Sequence, residues 1–67
     1  MQIILNNTAE TIPGDEMTVN ELIRYKNFTF RLLVTKVNEQ LVKTDQRDQA
    51  KVRSGDRVQV LHMISGG

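Results

Sequence analysis

Helical spacing of apolar residues is confined to a single stretch of this chain, and that confinement decides the architecture. Val19, Leu22 and Ile23 fall at i, i+3 and i+4, one apolar stripe, while Asn20, Glu21 and Arg24 occupy the opposite side. Thr18 stands three residues before Glu21, the spacing of a capping box in which each side chain satisfies the other residue's free backbone N–H. A helix is therefore predicted from this point, ending near Lys26-Asn27. One helix with one stripe covers one face of a sheet, so the remaining apolar residues must supply that sheet. The fold class is α+β in two layers, a mixed sheet of four to five strands packed on one helix.

The strands are read from short β-rich runs bounded by turn residues. Gln2 to Asn6 and Ala9 to Ile12 flank Asn6-Asn7 and read as a hairpin, and Pro13-Gly14-Asp15-Glu16 is a loop. Phe28 and Phe30 are expected to anchor the connection from the helix into Arg31 to Val37, the longest strand candidate. Asn38-Glu39 turns that strand into Gln40-Leu41-Val42, although a turn without Gly leaves its type open. Lys43 to Arg53 is polar and reads as a long loop with room for one helical turn. Ser54-Gly55-Asp56 is a turn signal, and Arg57 to Ile64 alternates apolar and polar residues as a final strand. The whole of 1–67 reads as a single domain.

Composition narrows the function classes. With 67 residues, no cysteine and one histidine, the chain offers no thiol/imidazole pair and no Cys/His metal site. A globule of this length, about 11 Å in radius of gyration, cannot enclose a deep substrate cavity as well as a core. His62 stands alone in the last strand and reads as a structural or interface residue. Ser54 and Asp56, adjacent in a tight bend, read as turn residues and not as part of a catalytic triad. The four glycines, at 14, 55, 66 and 67, form no phosphate-cradling loop, so no cofactor, ATP included, is expected on the chain itself.

Nine basic and eight acidic residues give too small an excess for the counterion release that drives nucleic-acid binding, and three aromatic residues give few stacking platforms. The apolar runs are far shorter than the ~20 residues needed to span a bilayer. No nucleic-acid or membrane partner is expected, and a cytoplasmic location is the default. The charges are uneven: Met1 to Ile23 holds Glu10, Asp15, Glu16 and Glu21 and no Lys or Arg. Either the basic remainder steers an acidic partner, or the two halves interleave and the charges solvate one surface.

The informative chemistry is at the end of the sequence. Ser65-Gly66-Gly67 follows the last strand directly, and three extended residues carry a terminal carboxylate roughly 10 Å beyond the fold. Glycines without side chains enter a narrow channel and adopt backbone angles closed to other residues. A carboxylate is a poor electrophile until converted to an acyl adenylate, so such a tail needs a partner that uses ATP. Gly-Gly alone is also what a frayed chain end looks like. The rest of the pattern decides how it is read.

That pattern comprises Met1-Gln2-Ile3, Thr18-Val19 with Glu21-Leu22-Ile23, Val37-Asn38 before Leu41-Val42, Gly55-Asp56-Arg57-Val58, and the closing Ile64-Ser65-Gly66-Gly67. From end to end it resembles the ThiS family, the sulfur carriers of thiamine biosynthesis. The chain departs from that family at Asn38-Glu39, which lacks a frequent Gly, and at Lys43 to Arg53, which lacks a frequent Trp. The resemblance implies the β-grasp, ubiquitin-like fold. It implies a protein co-substrate and not an enzyme, with Gly67 as the modified residue and Ser65 and Gly66 as its flexible approach. A ThiF-type adenylyltransferase would adenylate Gly67 with ATP, a persulfide-bearing sulfur donor would convert it to a thiocarboxylate, and thiazole synthase would consume it. Three other readings stay open. One is the small subunit of molybdopterin synthase, similar in tail and chemistry but generally longer. The second is a ubiquitin-like modifier joined to lysines through Gly67. The third is an RNA-binding β-grasp module, which would need a basic or aromatic sheet face.

Alternation also suggests a docking surface. With Val58, Val60, His62 and Ile64 toward the helix, Leu61 and Met63 point away; with Leu33, Thr35 and Val37 inward, Leu32 and Val34 point away. If the two strands are neighbours, Leu32, Val34, Leu61 and Met63 form one exposed apolar patch suited to a partner. The inverse assignment of faces would bury that set instead.

Overall fold

The computed structural model describes residues 1–29 and 32–62. The capping box forms: the Thr18 hydroxyl accepts from the Glu21 N–H at 3.1 Å, and the Glu21 carboxylate accepts from the Thr18 N–H at 2.8 Å. Helix α1 runs Val19–Tyr25. It closes through Asn27, whose φ of 58° is the left-handed turn that follows many helices. Asn27 N–H donates to the Arg24 carbonyl and Phe28 N–H to the Ile23 carbonyl, each at 3.0 Å, so two otherwise orphaned carbonyls are satisfied. Val19, Leu22 and Ile23 are buried, as the stripe predicts.

Among the described residues seven strands accompany the helix: β1 Gln2–Leu5, β2 Thr8–Thr11, β3 Glu16–Thr18, β4 Leu33–Val37, β5 Gln40–Val42, β6 Lys51–Arg53 and β7 Arg57–His62. Five of them build the main sheet in the order β2-β1-β7-β4-β5. β1 and β7 are parallel, and the β1–β2, β4–β7 and β4–β5 pairs are antiparallel. The sheet is mixed, and the last strand lies at its centre. The core is aliphatic, with Ile3, Leu5, Val42, Val58 and Val60 of the sheet meeting Val19, Leu22 and Ile23 of the helix. Phe28 packs against it, while Phe30 and Arg31 lie outside the described residues. No helix among the described residues is long and apolar enough to cross a membrane.

Both hairpins close on two residues with positive φ, Asn6 (50°) with Asn7 (68°) and Asn38 (51°) with Glu39 (70°). That is the type I′ requirement, which settles the turn left open by the missing glycine. Asn tolerates the conformation, but Glu39 holds it only because the two flanking strands fix the ends.

The segment Lys43 to Arg53 is not all loop. A 3₁₀ turn at Thr44–Gln46 is the expected helical turn, but Lys51–Arg53 is β6, paired antiparallel with β3. Val52, opposite Met17, is fully buried and supplies the apolar contact. Glu16 bridges to both Lys51 and Arg53 at 3.1 Å. Together with the ion pair between Glu10 and Lys26, these contacts draw acidic residues of the first half against basic residues of the second. Interleaving therefore accounts for much of the charge asymmetry in the sequence.

Candidate functional site

β7 leads to the Gly66-Gly67 tail, so the site is built outward from this strand. Its start is set by the Ser54-Gly55-Asp56 turn, where Gly55 takes φ 91°. Asp56 accepts from the Arg53 N–H at 2.8 Å and from the Asn38 amide at 3.1 Å. The Ser54 hydroxyl accepts from the Gln2 N–H at 3.2 Å. Both side chains are committed to holding the turn, the role read from the sequence.

On one edge β7 pairs with β4 from Val37↔Val58 to Leu33↔His62. This register puts Val34 directly opposite Leu61, and Thr35 opposite Val60. Val58, Val60 and Thr35 are buried beneath the helix, and Leu33 and Val37 are partly buried against the same core. By alternation Leu61 and Val34 share the other face, and Leu32 precedes β4 in a bend. Leu32 is 54% exposed and Leu61 46% exposed, while Val34 is half-buried between its neighbours. The structure thus places Val34 and Leu61 of the four predicted patch residues side by side, with Leu32 exposed just before β4. Met63 lies outside the described residues, as do Ile64, Ser65, Gly66 and Gly67. His62 falls in phase with Val60 but is exposed, because it lies past the edge of the core.

Two contributors were not anticipated. Leu41, 57% exposed, lies opposite Lys36 on the same outer face, one row from the Val34–Leu61 pair. The two-residue turn could have placed it, since Asn38-Glu39 fixes the register Lys36↔Leu41 once it is read as type I′. Arg47, from the polar segment, reaches under β4: its Nε donates to the Thr35 hydroxyl at 3.1 Å, and Nη2 donates to the Leu33 carbonyl. Thr35 in turn donates to the Val42 carbonyl at 2.7 Å. This partly buried polar chain fixes the start of β4, which follows Leu32 and carries Val34. Nothing in a solvated-looking charge run distinguishes such an arginine.

The electrostatics of the outer face are basic. Lys36 and Arg57 lie on it by alternation, and no carboxylate does among the described residues. Carboxylates with perturbed titration are elsewhere. Hydrogen bonds from Lys51 and then Arg53 hold Glu16 below its ordinary value, and the Thr18 backbone N–H does the same for Glu21. Both serve the helix layer. No group of three or more His, Asp or Glu side chains able to hold a metal occurs among the described residues. A shallow pocket of about 290 Å³ opens over β1, β2 and Gly55, lined by Gln2, Ile4, Ala9 and Thr11 among others. Its only carboxylate, Glu10, is already paired with Lys26.

Residues 3–67 match the ThiS family. The chain belongs to that family. No curated protein matches it. Among solved structures it is similar to the crystal structure of a thiamine biosynthesis protein (ThiS) from Geobacter metallireducens, with a TM-score of 0.89, 23% identity and all of both chains covered. The solution structure of a thiamine biosynthesis protein from the same organism superposes with a TM-score of 0.80 at 23% identity, covering all of this chain and 88% of the other. The mixed five-stranded sheet on one helix is the β-grasp fold of the ThiS family, as the sequence resemblance implied. The match also spans the residues that carry the tail motif, through Gly67.

Proposed function

We propose that this ThiS family member is a sulfur carrier protein in thiamine biosynthesis that bears its sulfur on Gly67. The observation that carries this reading is the family match itself, which extends through Ser65-Gly66-Gly67. The Gly67 carboxylate attacks the α-phosphate of ATP on a ThiF-type adenylyltransferase, releasing pyrophosphate and leaving an acyl adenylate. A persulfide on a sulfur-donor enzyme then displaces AMP to give an acyl disulfide, and a second thiol attacks the donor-side sulfur of its S–S bond, releasing the thiocarboxylate that thiazole synthase consumes and leaving a disulfide on the donor. The chain acts as protein co-substrate: it supplies the carboxylate, the approach and the docking surface, and the partner supplies nucleotide and catalysis.

Leu32, Val34 and Leu61, with Met63 next in phase, form the docking patch. Support comes from the shared outer face of Val34 and Leu61, with Leu32 exposed just before β4, on the strand that leads to the tail and its neighbour. The test is intact mass after incubation with the adenylyltransferase, ATP and a persulfide donor. The expected gain equals one oxygen replaced by sulfur, and deletion of Gly67 abolishes it. A chain that stays unmodified beside an adenylyltransferase shown to be active on its own carrier overturns the reading.

A further inference from the structure

The two edges of β7 are supported unequally toward its end. On the β4 side, pairing continues to His62. On the β1 side it covers Ile4↔Arg57 and Leu5↔Val58, after which the chain turns away at Asn6-Asn7. The Asn6 N–H still reaches the Val58 carbonyl at 2.9 Å, and this is the last main-chain bond from β1. Beyond it, the Asn6 side chain replaces the missing strand. Its Nδ2 donates to the Val60 carbonyl at 3.1 Å, and its Oδ1 accepts from the Val60 N–H at 2.8 Å. A primary amide presents a donor and an acceptor much as a peptide unit does, so one side chain extends the ladder by a full residue.

We propose that the Asn6 amide is a positioning group: by pairing with both backbone groups of Val60 it holds the β1-side edge of β7 where β1 has ended, and so fixes the strand that presents Leu61 to a partner. The proposal rests on the carrier reading for its purpose, though not for its geometry. Val60 adjoins Leu61 of the docking patch and precedes Gly67 by seven residues. Without the amide, the last β1-side support moves back to Val58. Past Val58, β7 is then held by β4 alone, and Leu61 is presented less sharply to the partner.

The other hairpin provides the control. Asn38, also first in a type I′ turn, touches β7 at its beginning: its Oδ1 accepts from the Arg57 N–H at 2.9 Å, and its Nδ2 donates to Asp56. Asn6→Gly and Asn38→Gly both keep a residue suited to positive φ and both delete a side-chain clamp on β7. They differ in which end of the strand is released.

The experiment measures backbone amide exchange at Val60 in the intact chain, together with kcat and KM of adenylation. Asn6→Gly should speed Val60 exchange about tenfold or more and raise KM for the carrier about tenfold, with kcat unchanged because Gly67 is untouched. Asn38→Gly should leave both near wild type. Asn6→Asp, which keeps the acceptor and loses the donor, should fall between, and it decides the matter if Asn6→Gly does not fold. Val60 protection equal to wild type in the Asn6 variants overturns the proposal, as does an equal rise in KM for both glycine variants. If the wild-type chain is never adenylated, the carrier reading fails, and the exchange comparison alone decides whether Asn6 clamps β7 at Val60.

Discussion

Alternate residues of the main sheet and its flanks have opposite surroundings. On the covered face Val58, Val60 and Thr35 are buried beneath the helix; on the outer face Leu61, Leu32 and Leu41 keep about half their surface in water. Hydrophobicity does not separate the two sets, since the covered face includes a threonine and the outer face three leucines. What separates them is phase along the strand, together with one helix that can cover only one side. A ledger of folding energy therefore leaves the outer leucines unexplained, and the docking surface proposed above would account for them.

The sharpest way to break this contrast is to make comparable losses on each side. Leu22, fully buried, should cost about 2–5 kcal/mol on truncation to alanine, from lost transfer free energy and the cavity left behind. Urea denaturation followed by circular dichroism measures it. For a domain of this length such a loss approaches the whole stability, so Leu22→Ala should be partly unfolded at 37 °C.

Thr35→Val tests the polar member of the covered face. The substitution keeps shape but strands the Arg47 Nε and leaves the Val42 carbonyl without its hydroxyl donor. Loss of about 1–3 kcal/mol is expected, in the range for buried groups left unsatisfied. Adding Arg47→Met should recover part of the loss, because the charged group then disappears along with its partner. A double variant no more stable than Thr35→Val shows that the pair is not coupled.

On the outer face the expectation reverses. Leu61→Asp and Leu32→Asp should change stability by no more than about 0.5 kcal/mol, as exposed positions do. Affinity for the adenylyltransferase should fall about tenfold for each, worth about 1.4 kcal/mol. Calorimetric titration of folded variants separates the two quantities. Unchanged affinity in both would leave the outer leucines without a role in docking.

Legibility in the sequence followed the same division. The helix, both hairpins and the alternation of β4 and β7 rest on local signals: the Thr18–Glu21 box, paired turn residues and period-two spacing. The β3–β6 pair was not legible. Each strand has three residues, their partners lie more than thirty positions apart, and the buried contact depends on Val52, a lone apolar residue with no period around it. Arg47 was hidden for a related reason, because a guanidinium that reaches beneath a strand looks in sequence like any solvated charge. The shared outer face of Val34 and Leu61 was legible, and Leu41 joined it only once the turn type fixed the register.

A control that should act on both faces alike is Glu39→Gly. Glu39 holds φ at 70°, where an L side chain is strained and glycine is not, and Asn-Gly is the preferred pair for this turn. Relief of that strain, offset by glycine's greater freedom in the unfolded chain, should raise stability by about 0.5–1 kcal/mol. Affinity for the partner should stay constant, since the change touches neither the outer leucines nor the start of β4. A gain in stability that also altered affinity would mean that the two faces are mechanically coupled through the β4–β5 turn.

The smallest effect belongs to pH. Glu16 and Glu21 both titrate below their ordinary value of 4.5, the first through Lys51 and Arg53, the second through the Thr18 backbone. A carboxyl group whose folded pKa is depressed binds protons more readily in the unfolded chain. Its contribution is therefore complete above the unfolded value and is lost as pH falls through the folded one. Stability should hold from neutrality down to about pH 5 and decline below that. Both groups are exposed, so the slope should be shallow and further reduced by salt. Denaturation midpoints between about pH 6 and pH 3 test this, with Glu16→Gln and Glu21→Gln each expected to flatten the curve. Midpoints that fall as steeply in both variants as in the parent would assign the acid sensitivity to other carboxylates. The outer face should not contribute to it, because that side of the sheet displays Lys36 and Arg57 and no carboxylate among the described residues.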